Sequence, residues 1–194
     1  MTKRLGAFLA ALVAFACGQY LEATIRLSDS LGTLAVPRCL AYNSTNNTVY
    51  VGGEHGNCVV AIDGATNQKI ARIPVGFAVY AILYNQQENK VYCADYHADN
   101  VIIVNGATNR VTSVVPVGDC PYALGFNPLE NKVYCGNFVS DDVTIIDGRQ
   151  DSILATVHTG VNPWAFCCAT RWPCAGTPAV TRSTAPISQA MTLP

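Results

Sequence analysis

A 42-residue period runs without a gap through the middle of the chain. Val49-Tyr50 recurs as Val91-Tyr92 and Val133-Tyr134, and Asp63-Gly64 recurs as Asn105-Gly106 and Asp147-Gly148. Pro74-Val75-Gly76 recurs as Pro116-Val117-Gly118, then changes to His158-Thr159-Gly160. Asn43, Asn85 and Asn127 keep the same spacing. A period of this size restricts the chain to repeat architectures, in which each unit covers its neighbour's apolar face.

Each unit holds four short strand candidates separated by turn signals. In the second unit they are 80–84, 90–94, 100–104 and 110–115, rich in Val, Ile and Tyr as pleated surfaces favour. Asn85 to Asn89, the Tyr96-His97-Ala98-Asp99 stretch, Asn105-Gly106 and Pro116 with Gly118 close them. The Asn-Gly and Asp-Gly pairs are expected to supply the positive φ of tight hairpins. No apolar period of 3.6 residues survives between the turns, which excludes helices. Four antiparallel strands in about 40 residues make a β-propeller blade. The expected fold is all-β: a partial β-propeller of three four-stranded antiparallel blades at 37–75, 79–117 and 121–159, with a broken fourth from Pro163.

The segments Asn89-Lys90-Val91-Tyr92-Cys93, Asn131-Lys132-Val133-Tyr134-Cys135 and Asp142-Val143-Thr144-Ile145-Ile146-Asp147-Gly148 resemble the YVTN-type β-propeller repeat. Asn67, Asn109 and the Pro-Val-Gly segments match it as well, and the resemblance covers roughly residues 37–166. It implies a closed ring of seven blades in an exported protein, a larger number than the three units here. Residues 23–27 resemble the fourth-strand segment 71–75, so a leading strand and its connection are expected over 19–36.

The chain opens like an export signal over 1–18: Lys3 and Arg4, an apolar run over 5–16, then Ala14-Phe15-Ala16 as a small-x-small cleavage site. That run is too short for a mature transmembrane span. Cys17 follows the site directly, which leaves two outcomes open, a lipid anchor on Cys17 or simple cleavage. After Cys167-Cys168 the repeat register is lost within a residue or two, and 169–194 is rich in Thr, Ala and Pro. The expected reading is a disordered tail, or a frameshift that replaced further blades. Three blades cannot close a ring, and two open apolar faces predict self-association.

Charged residues make up 13% of the chain and the net charge is -1, with no basic cluster to meet a nucleic-acid backbone. Cys93 and Cys135 share the repeat slot of Val51, so they behave as small hydrophobes; no Cys-x-x-Cys occurs, and pairing of Cys39, Cys58, Cys120, Cys167, Cys168 and Cys174 stays open. Gly-x-Ser-x-Gly, phosphate-loop and His-Glu-x-x-His motifs are lacking, so no catalytic residue, cofactor or metal ligand is assigned. Tyr50, Tyr92 and Tyr134, like Tyr42, Tyr84 and Phe126, recur in every unit and read as packing between blades; Trp164 aligns with Tyr80 and Tyr122 and reads as structural too. Asp63, Asn105 and Asp147 read as turn residues.

In a propeller, the loops between second and third strands share a rim with the connections between blades, and that rim usually faces the ligand. His55, His97, Asp99, Asp119, Asp141 and Asn162 fall there and form the candidate ligand rim. Two functional readings follow. One is an exported, non-catalytic propeller that binds a ligand or protein in the periplasm, at the cell surface or outside the cell. The other is a fragment of a propeller enzyme, resembling a quinoprotein amine dehydrogenase heavy chain or a lactonase-like hydrolase.

Overall fold

The computed structural model describes residues 24–29 and 32–163. The export signal, Cys17, Trp164, Trp172, the last three cysteines and the tail expected from the sequence lie outside the described residues.

A two-residue pair comes first, β1 (Ser28–Asp29) with β2 (Gly32–Thr33). Three antiparallel sheets follow, each with its strands in chain order. Blade 1 is β3 (Val36–Asn43), β4 (Thr48–Glu54), β5 (Cys58–Asp63) and β6 (Lys69–Pro74). Blade 2 is β7 (Val79–Asn85), β8 (Lys90–Asp95), β9 (Asn100–Asn105) and β10 (Arg110–Pro116). Blade 3 is β11 (Pro121–Asn127), β12 (Lys132–Asn137), β13 (Asp142–Asp147) and β14 (Ile153–His158). The architecture is a partial β-propeller with no helix among the described residues.

The leading segment differs from expectation. Residues 24–26 form no strand, and the pairing falls later, in β1 and β2. Ile25 and Leu27 nevertheless pack with buried Leu34 on Val51, Cys58, Val60 and Ile62 of blade 1. They cover that face through side-chain burial rather than through a strand ladder.

The middle strands are almost wholly apolar because both faces of a blade are buried. Side chains alternate across a strand. Val91 and Cys93 of β8 therefore join Tyr50, Val59, Ala61 and Ile73 of blade 1. Tyr92, between them, joins Val133, Cys135 and Ile146 of blade 3. In β9, Ile102 and Val104 point back to blade 1, while Val101 and Ile103 point forward. Burial raises the thiol pKa of Cys93 and Cys135 well above the usual range and pushes Cys39 up to about 12. These thiols are packing groups, not nucleophiles. All five described cysteines are free.

Polar bonds lock the blades at the lower rim, where the first turn of each blade lies. Asn43 and Asn85 each accept two backbone N–H bonds through Oδ1, holding their own turns. Their Nδ2 groups donate to the next blade, to Asn89 Oδ1 at 2.9 Å and Asn131 Oδ1 at 2.8 Å. Tyr50 donates to Gly106 O (3.2 Å) and Asn109 Oδ1 (2.6 Å). Tyr92 repeats this on Gly148 O and Asp151 Oδ1, both at 3.2 Å.

The Asp-Gly turns are built differently from a tight hairpin. Asp63, Asn105 and Asp147 accept two backbone N–H bonds each. Positive φ falls four residues on, at Asn67, Asn109 and Asp151, and not at the glycines. Gly106 and Gly148 are selected by lack of space, since a Cβ would strike Asn89 and Asn131. The same logic explains Pro-Val-Gly. A Cβ on Gly76 would fall on Asp95 Oδ2 of the following blade, whereas one on Gly160 meets nothing.

Apolar residues are also open on the outer faces of the described array. Leu40 and Tyr42 of blade 1 are 67% and 54% exposed, and every residue of β14 is exposed.

Two outcomes follow. Gly76→Ala forces Asp95 or its blade to move and should destabilise the chain by roughly 1–3 kcal/mol in urea unfolding. The hydrogen bonds to Asp63 and Asp147 lower both carboxyl pKa values. Their stabilisation is present above the unfolded carboxylate pKa and is lost as pH falls through the lower folded value. Asn105 fills the same slot without a charge. The Asp63→Asn, Asp147→Asn variant should therefore lose less stability than the wild type between about pH 4 and pH 2, read by unfolding at each pH.

Candidate functional site

The upper rim is assembled from the loops between second and third strands and the connections between blades. Asn57, Asp99 and Asp141 occupy one slot with φ of 49°, 52° and 57°. Their carbonyls accept from Val75, Val117 and Thr159 at 3.2, 3.0 and 3.2 Å. Asp99 Oδ1 also accepts from the Cys120 amide and Asp141 Oδ1 from the Asn162 amide, both at 2.8 Å. Three expected ligand-rim residues, Asp99, Asp141 and Asn162, thus spend polar groups on closing loops. Asp119 is exposed, and its amide donates to Ser140 Oγ at 3.0 Å.

His55 and His97 lie on either side of Phe77, from the connection between blades 1 and 2. Their ring centroids are 5.3 and 5.8 Å from it. Phe77 is 46% exposed. No group of three or more His, Cys, Asp or Glu side chains able to hold a metal occurs among the described residues. The two histidines are therefore edges of an aromatic surface in this structure.

That surface extends further than sequence reasoning placed it. Each inner strand carries a bulge just below the rim. The register skips between Pro37 and Cys39, between Val79 and Ala81, and between Pro121 and Ala123. The unpaired residues are Arg38, Tyr80 and Tyr122. A bulge frees a side chain from the pleat and re-aims it, which is why bulges gather at functional sites. The Arg38 guanidinium lies 4.3 Å over the Tyr80 ring, and Arg38 pairs with Glu54. Tyr80 stacks on Tyr96 at 4.4 Å and meets Tyr122 edge-on at 5.4 Å. Tyr122 reaches Phe138 at 5.8 Å, and Tyr96 reaches His97 at 5.1 Å. Seven rings from all three blades form one connected surface. Burial and the hydrogen bond that the Tyr80 hydroxyl donates to the Glu54 carboxylate raise the Tyr80 pKa, and a hydrogen bond with Cys120 followed by burial raises that of Tyr96. Both phenols stay protonated donors at neutral pH. The three segments read Pro37-Arg38-Cys39, Val79-Tyr80-Ala81 and Pro121-Tyr122-Ala123, a variation that does not by itself mark a bulge.

Charge divides between the rims. The upper rim carries Glu54, Asp95, Asp99, Asp119, Asp141 and Asp142 against Arg38 and Arg72, whose guanidinium holds Gly56 O at 3.3 Å. Every lysine among the described residues, Lys69, Lys90 and Lys132, lies toward the lower rim with Arg110 and Arg149, where Asp63, Glu88, Glu130, Asp147 and Asp151 balance them. Asp95 is 1% exposed and is paired across the ladder with Asn100, whose buried Oδ1 has no partner. In blade 3 the same two positions are exchanged, and Asn137 Nδ2 donates to Asp142 Oδ1 at 2.7 Å.

No protein-family model matches the sequence, and no curated protein matches it. Solved β-propeller structures do. The Kuenenia stuttgartiensis hydrazine synthase aligns with a TM-score of 0.64 at 17% identity, over 76% of this chain and 42% of that one. The structure of U3-55K and the RRP9 WD40 repeats each align with a TM-score of 0.60 at 11% identity, over 70% of this chain. The chain spans about two fifths of the length of these structures, at 42%, 42% and 41%. At such identities the likeness shows the fold: the chain is similar to part of a β-propeller.

Proposed function

We propose that this chain is an exported, non-catalytic propeller-type binding protein of the YVTN kind, and that its upper rim takes a basic segment of another polypeptide. The observation that carries the reading is the set of bulges that deliver Arg38, Tyr80 and Tyr122 to one surface. The repeat builds a similar scaffold in each blade, and at the bulge slot it presents Arg38, Tyr80 and Tyr122. Aromatic rings in an acidic setting favour ammonium and guanidinium groups, through their π faces and the nearby carboxylates. Phe77 with its flanking histidines offers exposed ring area, and Asp119 offers an exposed carboxylate. The buried thiols and loop-locking carboxylates supply no activated nucleophile, which supports binding over catalysis. The charged start, apolar run and small-x-small site support export, with either a free or a Cys17-anchored mature chain.

Calorimetric titration with an oligolysine peptide tests the rim. Binding with micromolar affinity is expected, weakened about tenfold by Tyr80→Ala or Phe77→Ala. Absence of binding, or binding that both variants leave unchanged, contradicts the reading. Fractionation of expressing cells tests export, and a cytoplasmic chain that retains Met1 contradicts it.

A further inference from the structure

Both faces of the Tyr80 ring are occupied. Tyr96 stacks on it with centroids 4.4 Å apart and planes 23° from parallel. The Arg38 guanidinium lies 4.3 Å from the same centroid. Two groups this close to one ring take opposite faces, and Tyr122 meets the ring at 89°. A cation drawn to the Tyr80 π face can therefore reach it only where Arg38 now sits.

The place that Arg38 fills has the parts of a guanidinium subsite. Glu54 pairs with Arg38 Nη1 through Oε1, and its carboxylate also accepts from the Tyr80 hydroxyl. Its Oε2 lies 3.7 Å from His55 Nε2. The carboxylate forms one wall of the subsite and the Tyr80 ring forms its floor. A planar guanidinium suits both at once, since it bonds a carboxylate through its edge and stacks on a ring through its face, whereas an ammonium is a compact point charge. The present occupant is held loosely. The Arg38 and Glu54 side chains are 38% and 23% exposed, so water screens their attraction. Arg38 also stands at the bulge of its strand, where its side chain is freed from the pleat.

We propose that Arg38 is a resident stand-in for the ligand, and that an arginine of the incoming segment displaces it to sit between Glu54 and the Tyr80 face. The inference rests on the reading of the upper rim as a surface for a basic segment, and it adds which basic residue is recognised and what holds the site in check. Arg38 lowers the affinity of the rim by competing for the subsite, and it favours ligands whose guanidinium replaces both of its contacts.

Titration of the full chain with oligoarginine, followed by NMR and calorimetry, tests this. In the free protein the Tyr80 ring current should shift the Arg38 δ-methylene signals upfield, and saturating oligoarginine should return them toward their ordinary positions. Arg38→Ala should bind oligoarginine about tenfold more tightly than the wild type, with a smaller gain for oligolysine. Adding Glu54→Gln should remove that gain. Arg38 signals that stay in place in the bound state overturn the proposal, and so does an Arg38→Ala affinity no higher than that of the wild type. If Phe77→Ala still weakens binding in those cases, the reading of the rim stands without the inference. An equal gain for both peptides, or a gain that survives Glu54→Gln, overturns the guanidinium subsite. Absence of binding to the wild type and to Arg38→Ala alike overturns the inference together with the reading it rests on.

Discussion

Everything in this array depends on the contact between one blade and the next. A four-stranded sheet with two apolar faces cannot be stable alone, since each face needs a cover. The strand period of two sends Val91 and Cys93 one way and Tyr92 the other, so a single strand serves two cores. The Tyr hydroxyl then has to find an acceptor in a buried setting, because an unmade buried hydrogen bond costs about 1–3 kcal/mol. It finds the carbonyl of the glycine in the neighbour's third turn. This pairing couples register along the chain to register between blades.

Recurring residues take packing or turn-locking roles: Asn43 and Asn85 hold turns and neighbours, and Gly76 makes room for the buried Asp95 carboxylate. The upper rim keeps the loop lock at Asn57, Asp99 and Asp141 but changes what the bulges present. An acidic rim with connected aromatic rings, opposite a lower rim of mixed charge, gives the molecule a directional surface on a nearly symmetric scaffold.

The fold was legible because each unit states it again. Period, strand length and turn residues all pointed to four-stranded blades, and the structure forms them. The reason for some glycines was not legible, because sterics at long range in sequence, not local φ, exclude a side chain: Asp95 of the following blade at Gly76, and Asn89 of the same blade with Asn43 of the preceding one at Gly106. The candidate rim was read only in part. His55 and His97 do join the aromatic surface, through Phe77. Asp99, Asp141 and Asn162 instead close loops, a role that needs the fold in order to be seen. Arg38, Tyr80 and Tyr122 were hidden because a bulge is a register event between two strands, and a single strand's sequence shows no sign of it. The 23–27 segment resembled the fourth-strand segment 71–75, yet Ile25 and Leu27 pack through their side chains and residues 24–26 join no ladder.

A double-mutant cycle across the first blade contact tests the central claim most directly. Tyr50→Phe and Asn109→Gly each remove one end of the 2.6 Å bond, and glycine keeps the positive φ at position 109. If the blades hold one another through this lock, equilibrium unfolding should give a coupling energy of about 0.5–3 kcal/mol between the two changes. Strictly additive effects would contradict the account, because the two blades would then be stabilised independently of the bond that joins them.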